Sequence, residues 1–183
     1  MKGDVTVISG PTAVGKGTVV RALREQHPEL WVSVSATTRA PRPGEVHGEH
    51  YLFVSNEEFD ELIAGDGLLE WALVHGTDRY GTPSAPVKAA VAAGRRVILE
   101  IELQGARQVR RLIPDARLVF IAPPSFDTLR ERLVGRGTET EAQMARRLRT
   151  AESELAAASE FDHVVVNDDL GTAVGQLVEL LGL

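Results

Sequence analysis

The sequence predicts an α/β fold with three layers, in which a central parallel sheet lies between two sets of helices. Short apolar runs alternate with segments of helical periodicity along the 183 residues, as they do in chains built from βαβ units. The runs at residues 97–99 and 118–121 are continuously apolar, which is typical of strands buried on both faces of a parallel sheet. A glycine-bounded turn joins the first run to the first helical segment and is the third observation that favours this fold.

The predicted elements follow from the positions of these runs. Strands are expected at residues 5–9, 31–35, 97–102, 117–122 and 163–167. Helices are expected at residues 16–26, 104–113, 126–134 and 170–181.

Two stretches interrupt the alternation. Residues 35–83 hold an arginine-rich loop, an extended run, a helix starting at the capping box Ser55-Asn56-Glu57-Glu58, and a strand over residues 68–74. That order indicates a small α+β insertion. Residues 126–158 are poorer in apolar residues and rich in arginine, which indicates a separate helical segment. The core would then comprise residues 1–34, 84–125 and 159–183.

Composition narrows the class of protein. With 43% apolar and 25% charged residues the chain can bury a core, and its length fits a single domain. A net charge of −6 argues against broad binding to nucleic acid, which favours a basic surface. The absence of cysteine excludes disulfides and thiolate metal sites. No signal peptide or run of about 20 apolar residues is visible, so we expect a soluble, cytoplasmic protein with no membrane partner.

The turn after the first strand has the spacing of a phosphate-binding loop. Its sequence is Gly-Pro-Thr-Ala-Val-Gly-Lys-Gly-Thr over residues 10–18, called the phosphate loop below. In this pattern backbone N–H groups and a helix N-terminus surround an anion, and the lysine reaches the outer phosphates of a nucleoside triphosphate. Gly17 stands where the general pattern has Ser or Thr, and Thr18 supplies the nearest hydroxyl. An ordinary glycine-rich turn is the alternative, and the preceding strand and full spacing make it the weaker one.

A second cluster of chemically informative residues begins at Ser35. Arg39 and Arg42 lie three residues apart with Pro41 between them, on a loop of restricted shape. The planar guanidinium group is suited to binding phosphate oxygens in pairs. Taken alone, the loop could equally carry two solvated surface arginines.

Several motifs together resemble the guanylate kinases of bacterial type. They appear in that family's order over essentially the whole chain: Gly10-Pro11-Thr12-x-x-Gly15-Lys16, Ser35-x-Thr37-Thr38-Arg39-x-Pro41-Arg42-x-Gly44-Glu45, Glu70-Trp71-Ala72, Gly81-Thr82, Ala122-Pro123-Pro124-Ser125, Gly135-Arg136-Gly137-Thr138-Glu139-Thr140 and Val166-Asn167-Asp168-Asp169-Leu170. The arginine loop and the segment around Arg136 are more specific than the phosphate loop. The resemblance implies a P-loop fold in which residues 35–83 are a GMP-binding insertion and residues 126–158 a helical lid.

The resemblance also implies an activity and a role for each matching residue. The expected reaction is transfer of the γ-phosphoryl group of ATP to GMP, giving ADP and GDP, as part of purine nucleotide metabolism and GMP recycling. The catalytic residues would be Lys16, Arg132, Arg136 and Arg147. ATP would be bound by Gly10, Pro11, Thr12, Ala13, Val14, Gly15, Lys16, Gly17, Thr18 and Asn167. GMP would be bound by Ser35, Arg39, Arg42, Tyr51, Glu70, Tyr80, Thr82 and Glu102.

The chemistry of guanine supports two of these roles. Guanine presents N1–H and N2–H₂ as donors, so carboxylates such as Glu70 and Glu102 are good partners, and adenine presents an acceptor at N1 instead. Glu102 stands where the family usually has Asp. The expected metal is Mg²⁺, held through phosphates and water with Thr18 and Glu100 as possible contacts.

Two other functions remain open from the sequence. A related kinase could phosphorylate a sugar phosphate, although Glu70, Thr82 and the arginine loop favour GMP. A kinase-derived interaction module without catalysis would usually lack the phosphate loop that is present here. Nothing in the sequence indicates an oligomeric state.

Overall fold

A computed structural model describes residues 4–74, 76–134 and 141–183, with side chains described except at residues 134 and 141–147. Contacts within the chain divide it into two compact units. The first comprises Met1–Val7 with Glu29–Ala116, and the second comprises Ile8–Pro28 with Arg117–Leu183. The predicted division into core, insertion and lid stays a prediction, because compactness does not assign a function to a segment.

The described strands and helices mostly follow the predicted order. The strands are β1 (Val5–Ser9), β2 (Trp31–Val32), β3 (Ala36–Thr37), β4 (Leu52–Phe53), β5 (Leu68–Val74), β6 (Asp78–Pro83), β7 (Val97–Glu100), β8 (Arg117–Ala122) and β9 (His163–Val166). The helices are α1 (Lys16–Gln26), α2 (Asn56–Ala64), α3 (Ser84–Ala92), α4 (Leu103–Leu112), α5 (Phe126–Val134), α6 (Glu141–Ala156) and α7 (Leu170–Leu181), with a 3₁₀ turn at Ala157–Glu160.

The larger sheet has five strands in the order β2-β7-β1-β8-β9. In the first unit β2 pairs with β7 in parallel, with Trp31 opposite Val97, and in the second unit β8 pairs with β9 in parallel, with Val119 opposite His163. The strands are buried as their apolar runs predict: Leu99 and Phe120 are 0% exposed. The predicted α/β class with a mostly parallel central sheet is therefore confirmed.

The smaller sheet belongs to the first unit and has the order β4-β3-β6-β5. Strand β6 pairs antiparallel with both of its neighbours, so that Ala36 and Trp71 both lie opposite Gly81. The predicted capping box at the start of α2 is present: Ser55 Oγ accepts a bond from the N–H of Glu58, and the Glu58 carboxylate accepts one from the N–H of Ser55. This helix therefore begins where its sequence predicts.

Residues 31–35 are predicted as one strand, but only Trp31 and Val32 form one, and the chain then leaves the larger sheet for the smaller one. Strand β2 ends at Val32, and after Ser35 the chain enters β3 in the smaller sheet. The carbonyl of Ser35 already accepts a bond from the N–H of Leu52. An apolar run does not show which neighbour a strand pairs with, and that is why the change of sheet could not be predicted.

Other boundaries differ by smaller amounts, and one helix was missed. Strand β7 ends at Glu100 rather than at residue 102, and Glu102 is the N-cap of α4. Helix α3 was not predicted because its sequence, SAPVKAAVA, is mostly alanine and valine and lacks clear periodicity between apolar and polar positions.

Candidate functional site

The phosphate loop follows β1 and needs glycine at both ends. Gly10 has φ +153°, and a Cβ there would lie 2.3 Å from the carbonyl oxygen of Ile121. Gly15 is the left-handed N-cap of α1, and a Cβ there would lie 2.7 Å from Nδ2 of Asn167. The glycine spacing that identified the loop is therefore also a steric requirement of this structure.

Two side chains from the second unit hold the loop at Val14. The amide of Asn167 donates to the carbonyl oxygen of Val14 at 2.8 Å, and Arg132 Nη1 donates to the same oxygen at 3.4 Å. Arg132 Nη2 also donates to the carbonyl oxygen of Asn167 at 3.2 Å. Arg132, which is predicted to be catalytic, and Asn167, which is predicted to bind ATP, thus lie against the phosphate loop and restrain its shape.

Two hydrogen-bond donors of the loop contact oxygen atoms of the protein. Lys16 Nζ donates to the carbonyl oxygen of Gly10 at 2.6 Å, and the N–H of Thr12 donates to Oε2 of Glu154 at 3.3 Å. A carboxylate at a loop amide is consistent with a loop built to attract anions. The sequence does not predict this contact of Glu154, because nothing local connects a residue of α6 with a loop 142 positions earlier.

The close approach of Gly10 to β8 leads to a prediction about stability. We expect Gly10→Ala to lower the free energy of unfolding by about 2 kcal/mol or more, because the added methyl group meets backbone and the residue has a strained φ. Gly94→Ala is the matched control, since Gly94 also has positive φ (+71°) but has no atom within 4 Å of its Cβ position. Urea unfolding of both variants measures the difference, and equal losses would contradict the steric explanation.

The predicted acceptor residues lie in the first unit, around the β5–β6 pair. Glu70 and Thr82 are opposite each other in the register, and both side chains are buried, at 4% and 0% exposed. Thr82 Oγ1 donates to Oε1 of Glu70 at 2.6 Å. Burial raises the pKa of Glu70 to about 7, the bonds from Thr82 partly oppose this, and the charge of Glu102 raises the pKa further. A buried carboxyl group with this pKa is typical of a functional site.

The arginine loop is organised around Glu45, a residue of the arginine-loop motif for which the sequence predicts no role. Arg39 Nη2 donates to both carboxylate oxygens of Glu45 at 2.9 and 3.0 Å, and Arg39 Nε donates to Tyr80 Oη at 3.0 Å. The backbone N–H of Arg42 donates to Glu45 at 2.7 Å, while the Arg42 side chain is exposed. The bond from Arg39 lowers the pKa of Glu45. One carboxylate thus fixes the spacing of both arginines.

Two tyrosines complete this cluster. The Arg39 guanidinium lies 5.4 Å from the ring centre of Tyr51, and the rings of Tyr51 and Tyr80 contact each other edge to face at 5.8 Å. Burial, followed by the negative charge of Glu100, raises the pKa of Tyr51 to about 12. Its phenol therefore stays protonated at neutral pH and can donate a hydrogen bond to an anion.

The predicted site residues separate cleanly between the two units. The residues predicted to bind GMP all lie in the first unit, and the phosphate loop, Arg132 and Asn167 lie in the second. Arg136 lies outside the described residues, and so does the side chain of Arg147. Gly105 and Gln108 of α4, which contact Glu70 and its strand, were not singled out in the sequence.

Thr18 and Glu100 are the two residues predicted as contacts of Mg²⁺. Thr18 is exposed in the first turn of α1, and Glu100 ends β7. In the part of the chain that the structure describes, no group of three or more His, Cys, Asp or Glu side chains could hold a metal. Hydroxyl and carboxylate oxygens are of the type that Mg²⁺ prefers, and the role of Thr18 or Glu100 as a contact stays a prediction. None of the described helices is long and apolar enough to cross a membrane.

Comparisons with known proteins agree with the motifs. The model of the guanylate kinase family matches residues 2–182. The chain is 60% identical over 180 residues to the guanylate kinase of Nocardia farcinica (strain IFM 10152), covering 98% of this chain and 93% of that protein. It is 61% identical over 179 residues to the guanylate kinase of Cutibacterium acnes (strain DSM 16379 / KPA171202), covering 98% and 90%.

Solved structures give the same result. The crystal structure of guanylate kinase from Anaplasma phagocytophilum superposes with a TM-score of 0.83 at 31% identity, covering 98% of this chain and 85% of that one. A shikimate kinase from Bacteroides thetaiotaomicron, at 17% identity and a TM-score of 0.53, shares the fold alone. The family match over residues 2–182 and the relatives at about 60% identity confirm the resemblance seen in the sequence: the chain belongs to the guanylate kinase family.

Proposed function

We propose that this protein transfers the γ-phosphoryl group of ATP to GMP, giving ADP and GDP. The observation that carries the proposal is the buried Glu70–Thr82 pair, which lies in the same compact unit as the arginine loop. A carboxylate can accept bonds from N1–H and N2–H₂ of guanine, and clustered arginines suit the phosphate of a nucleoside monophosphate. Family membership and the phosphate loop support ATP as the phosphoryl donor.

The donor nucleotide is assigned to residues of the second unit. Amides of residues 10–18 and Lys16 bind the phosphates of ATP, and Asn167 lies near the adenine. Arg132 acts with Lys16 on the transferred phosphoryl group, as do Arg136 and Arg147. The positions of Lys16 and Arg132 against the phosphate loop support this assignment.

The acceptor is assigned to residues of the first unit. Glu70, Thr82 and Glu102 read the guanine, and the phosphate of GMP is bound by Arg39, Arg42, Tyr51 and Tyr80. Ser35 completes the set of GMP-binding residues. Because this phosphate is already an anion at neutral pH, no residue needs to deprotonate it, and catalysis depends on positioning and charge stabilisation. Mg²⁺ held through phosphates and water, with Thr18 and Glu100 as proposed protein contacts, would neutralise charge on the phosphates when bound. Residues 35–83 are the GMP-binding insertion of this proposal, and residues 126–158 are its lid.

A parallel assay of acceptors tests the proposal. ADP formation from ATP is measured with GMP, dGMP, AMP and UMP at equal concentrations. GMP should be phosphorylated fastest, and equal rates with AMP would remove the guanine assignment. ADP formation that depends on GMP in the same assay would exclude a kinase for sugar phosphates and a module without catalysis. A cytoplasmic location and the absence of nucleic-acid partners stay predictions.

Arg42 provides the next prediction. We expect Arg42→Ala to raise the KM for GMP about tenfold with little change in kcat, because its exposed guanidinium contributes one charged contact to the acceptor phosphate. Arg95→Ala, an exposed arginine outside the loop, is the control. An unchanged KM for GMP would remove Arg42 from the site.

The pKa of Glu70 leads to a prediction about proton release. Only the ionised carboxylate accepts bonds from both guanine donors, so GMP binding should displace the proton that Glu70 holds below its pKa of about 7. We expect calorimetry at pH 6.5, repeated in buffers of different ionisation enthalpy, to show more proton release for the wild-type protein than for Glu70→Gln. Titration of the GMP phosphate is common to both proteins and cancels. Equal proton release would show that Glu70 is already ionised before GMP binds.

A further inference from the structure

Helix α4 lies against β5 and provides an unusual environment for Glu70. A Cβ atom on Gly105 would lie 2.0 Å from Oε2 of Glu70 and 2.7 Å from its carboxyl carbon. The carboxyl group therefore occupies the space that any other side chain at position 105 would fill. Its second oxygen, Oε1, accepts the bond from Thr82, so the group is confined from two directions.

The same face of α4 also holds the backbone of β5. Gln108, three residues after Gly105 and on the same side of the helix, bonds to both backbone groups of Trp71. The N–H of Trp71 donates to Oε1 of Gln108 at 3.2 Å, and Nε2 of Gln108 donates to the carbonyl oxygen of Trp71 at 2.6 Å. The side-chain amide of Gln108 thus bonds the two backbone groups of Trp71 that a neighbouring strand would otherwise bond.

We propose that Gly105 and Gln108 are positioning residues for guanine recognition, which fix the carboxyl group of Glu70 in the orientation that accepts bonds from N1–H and N2–H₂. The inference rests on the proposed function and deepens it. Gly105 sets how far the carboxyl group can lie toward α4, and Gln108 sets the position of the backbone that carries it. Neither residue needs to touch the substrate.

If Gly105 had only a structural role, Gly105→Ala would destabilise the fold rather than change GMP binding. The atoms that an added methyl group would meet are the far end of the Glu70 side chain, which can rotate, whereas at Gly10 they are backbone atoms. Alanine is also the better helix former. Gly105→Ala should therefore displace the carboxyl group and leave the fold intact, so that the loss appears in GMP binding and base choice.

The first experiment compares Gly105→Ala with Gly175→Ala, a helical glycine of α7 that has no atom within 4 Å of its Cβ position. We expect Gly105→Ala to raise the KM for GMP about tenfold, to change kcat less than about threefold and to leave the KM for ATP unchanged. Its preference for GMP over IMP, which lacks the 2-amino group, should decrease. Gly175→Ala should match the wild-type protein, and the urea midpoint of both variants should stay the same or rise.

A double-mutant cycle shows whether Gly105 acts through Glu70. Glu70→Asp withdraws the carboxyl group by about one bond length, so adding Gly105→Ala to Glu70→Asp should cost much less than it costs in the wild-type protein. Additive losses would overturn the proposal for Gly105, and so would a Gly105→Ala variant that does not fold.

Gln108 is tested separately. We expect Gln108→Leu to raise the KM for GMP several-fold and to reduce the preference for GMP over IMP, while Gln104→Leu, an exposed position on the same helix, changes neither. An unchanged preference would overturn the role of Gln108. A wild-type protein that does not phosphorylate GMP would overturn the proposed function itself. Wild-type activity together with unchanged KM values in both variants would overturn only the positioning role.

Discussion

Lys16→Met is expected to lower kcat by about 10²–10³-fold or more. The substitution removes the positive charge that stabilises the negative charge developing on the transferred phosphoryl group. Methionine keeps most of the length of the side chain and cannot donate a hydrogen bond. In the free protein the substitution removes the bond from Nζ to the carbonyl oxygen of Gly10. The loop conformation itself depends on Gly10, Gly15 and the bonds to Val14, so it should persist.

The measurement is ADP formation at saturating ATP and GMP. Lys88→Met is the matched control, since Lys88 is an exposed lysine of α3. We expect the control to keep the wild-type kcat, and both variants to keep the wild-type urea midpoint within error. A kcat for Lys16→Met within a few-fold of the wild-type value would show that the lysine is not part of the phosphoryl-transfer step.

Glu70→Gln is expected to lower kcat/KM for GMP by about 10²–10⁴-fold, because a site built to bond a substrate group loses most of its affinity when the bond cannot form. Glutamine has the same shape, and its oxygen can still accept the bond from Thr82. Its NH₂ group would then face the N1–H and N2–H₂ donors of guanine. Glu61→Gln, at an exposed position of α2, is the control and should change nothing.

The same substitution should change stability with a defined sign. The pKa of Glu70 is raised in the folded protein from 4.5 to about 7, so this group favours the folded state fully below pH 4.5, and its contribution is lost as the pH rises through 7. Glu70→Gln removes the cost of burying the charge. The variant should therefore be more stable than the wild-type protein at pH 8, by roughly 3 kcal/mol at most, and this advantage should disappear near pH 4. A variant less stable at pH 8 would contradict the direction of the pKa shift.

Much of the fold was predictable because it depends on local chemistry. The periodicity of apolar residues placed β1, β8 and α7 at their observed bounds, and the capping box placed the start of α2. The exceptions are places where the local pattern carries no such signal. Helix α3 lacks a periodic pattern, and residues 31–35 carry no signal for the change from one sheet to the other.

Candidate site residues could be named from the sequence, but their environments could not. The sequence shows that position 70 is a glutamate beside a tryptophan, which is equally typical of an outward-facing strand residue. Burial, the bond from Thr82 and the space left by Gly105 give Glu70 its raised pKa and its fixed orientation. These contacts join residues 12 and 35 positions apart, and they form only when β5 pairs with β6 and α4 packs against β5.

The sequence by itself determined the class of fold, the phosphate loop and the family, because strand and helix periodicity, turn glycines and motif spacing are properties of neighbouring residues. Only the tertiary structure decided which groups surround each site residue: Glu45 against Arg39, Asn167 and Arg132 against Val14, and Gly105 against Glu70. The physical reason is that most of these contacts join segments far apart in the chain. Their pKa shifts and steric limits therefore arise from packing, which no local pattern encodes.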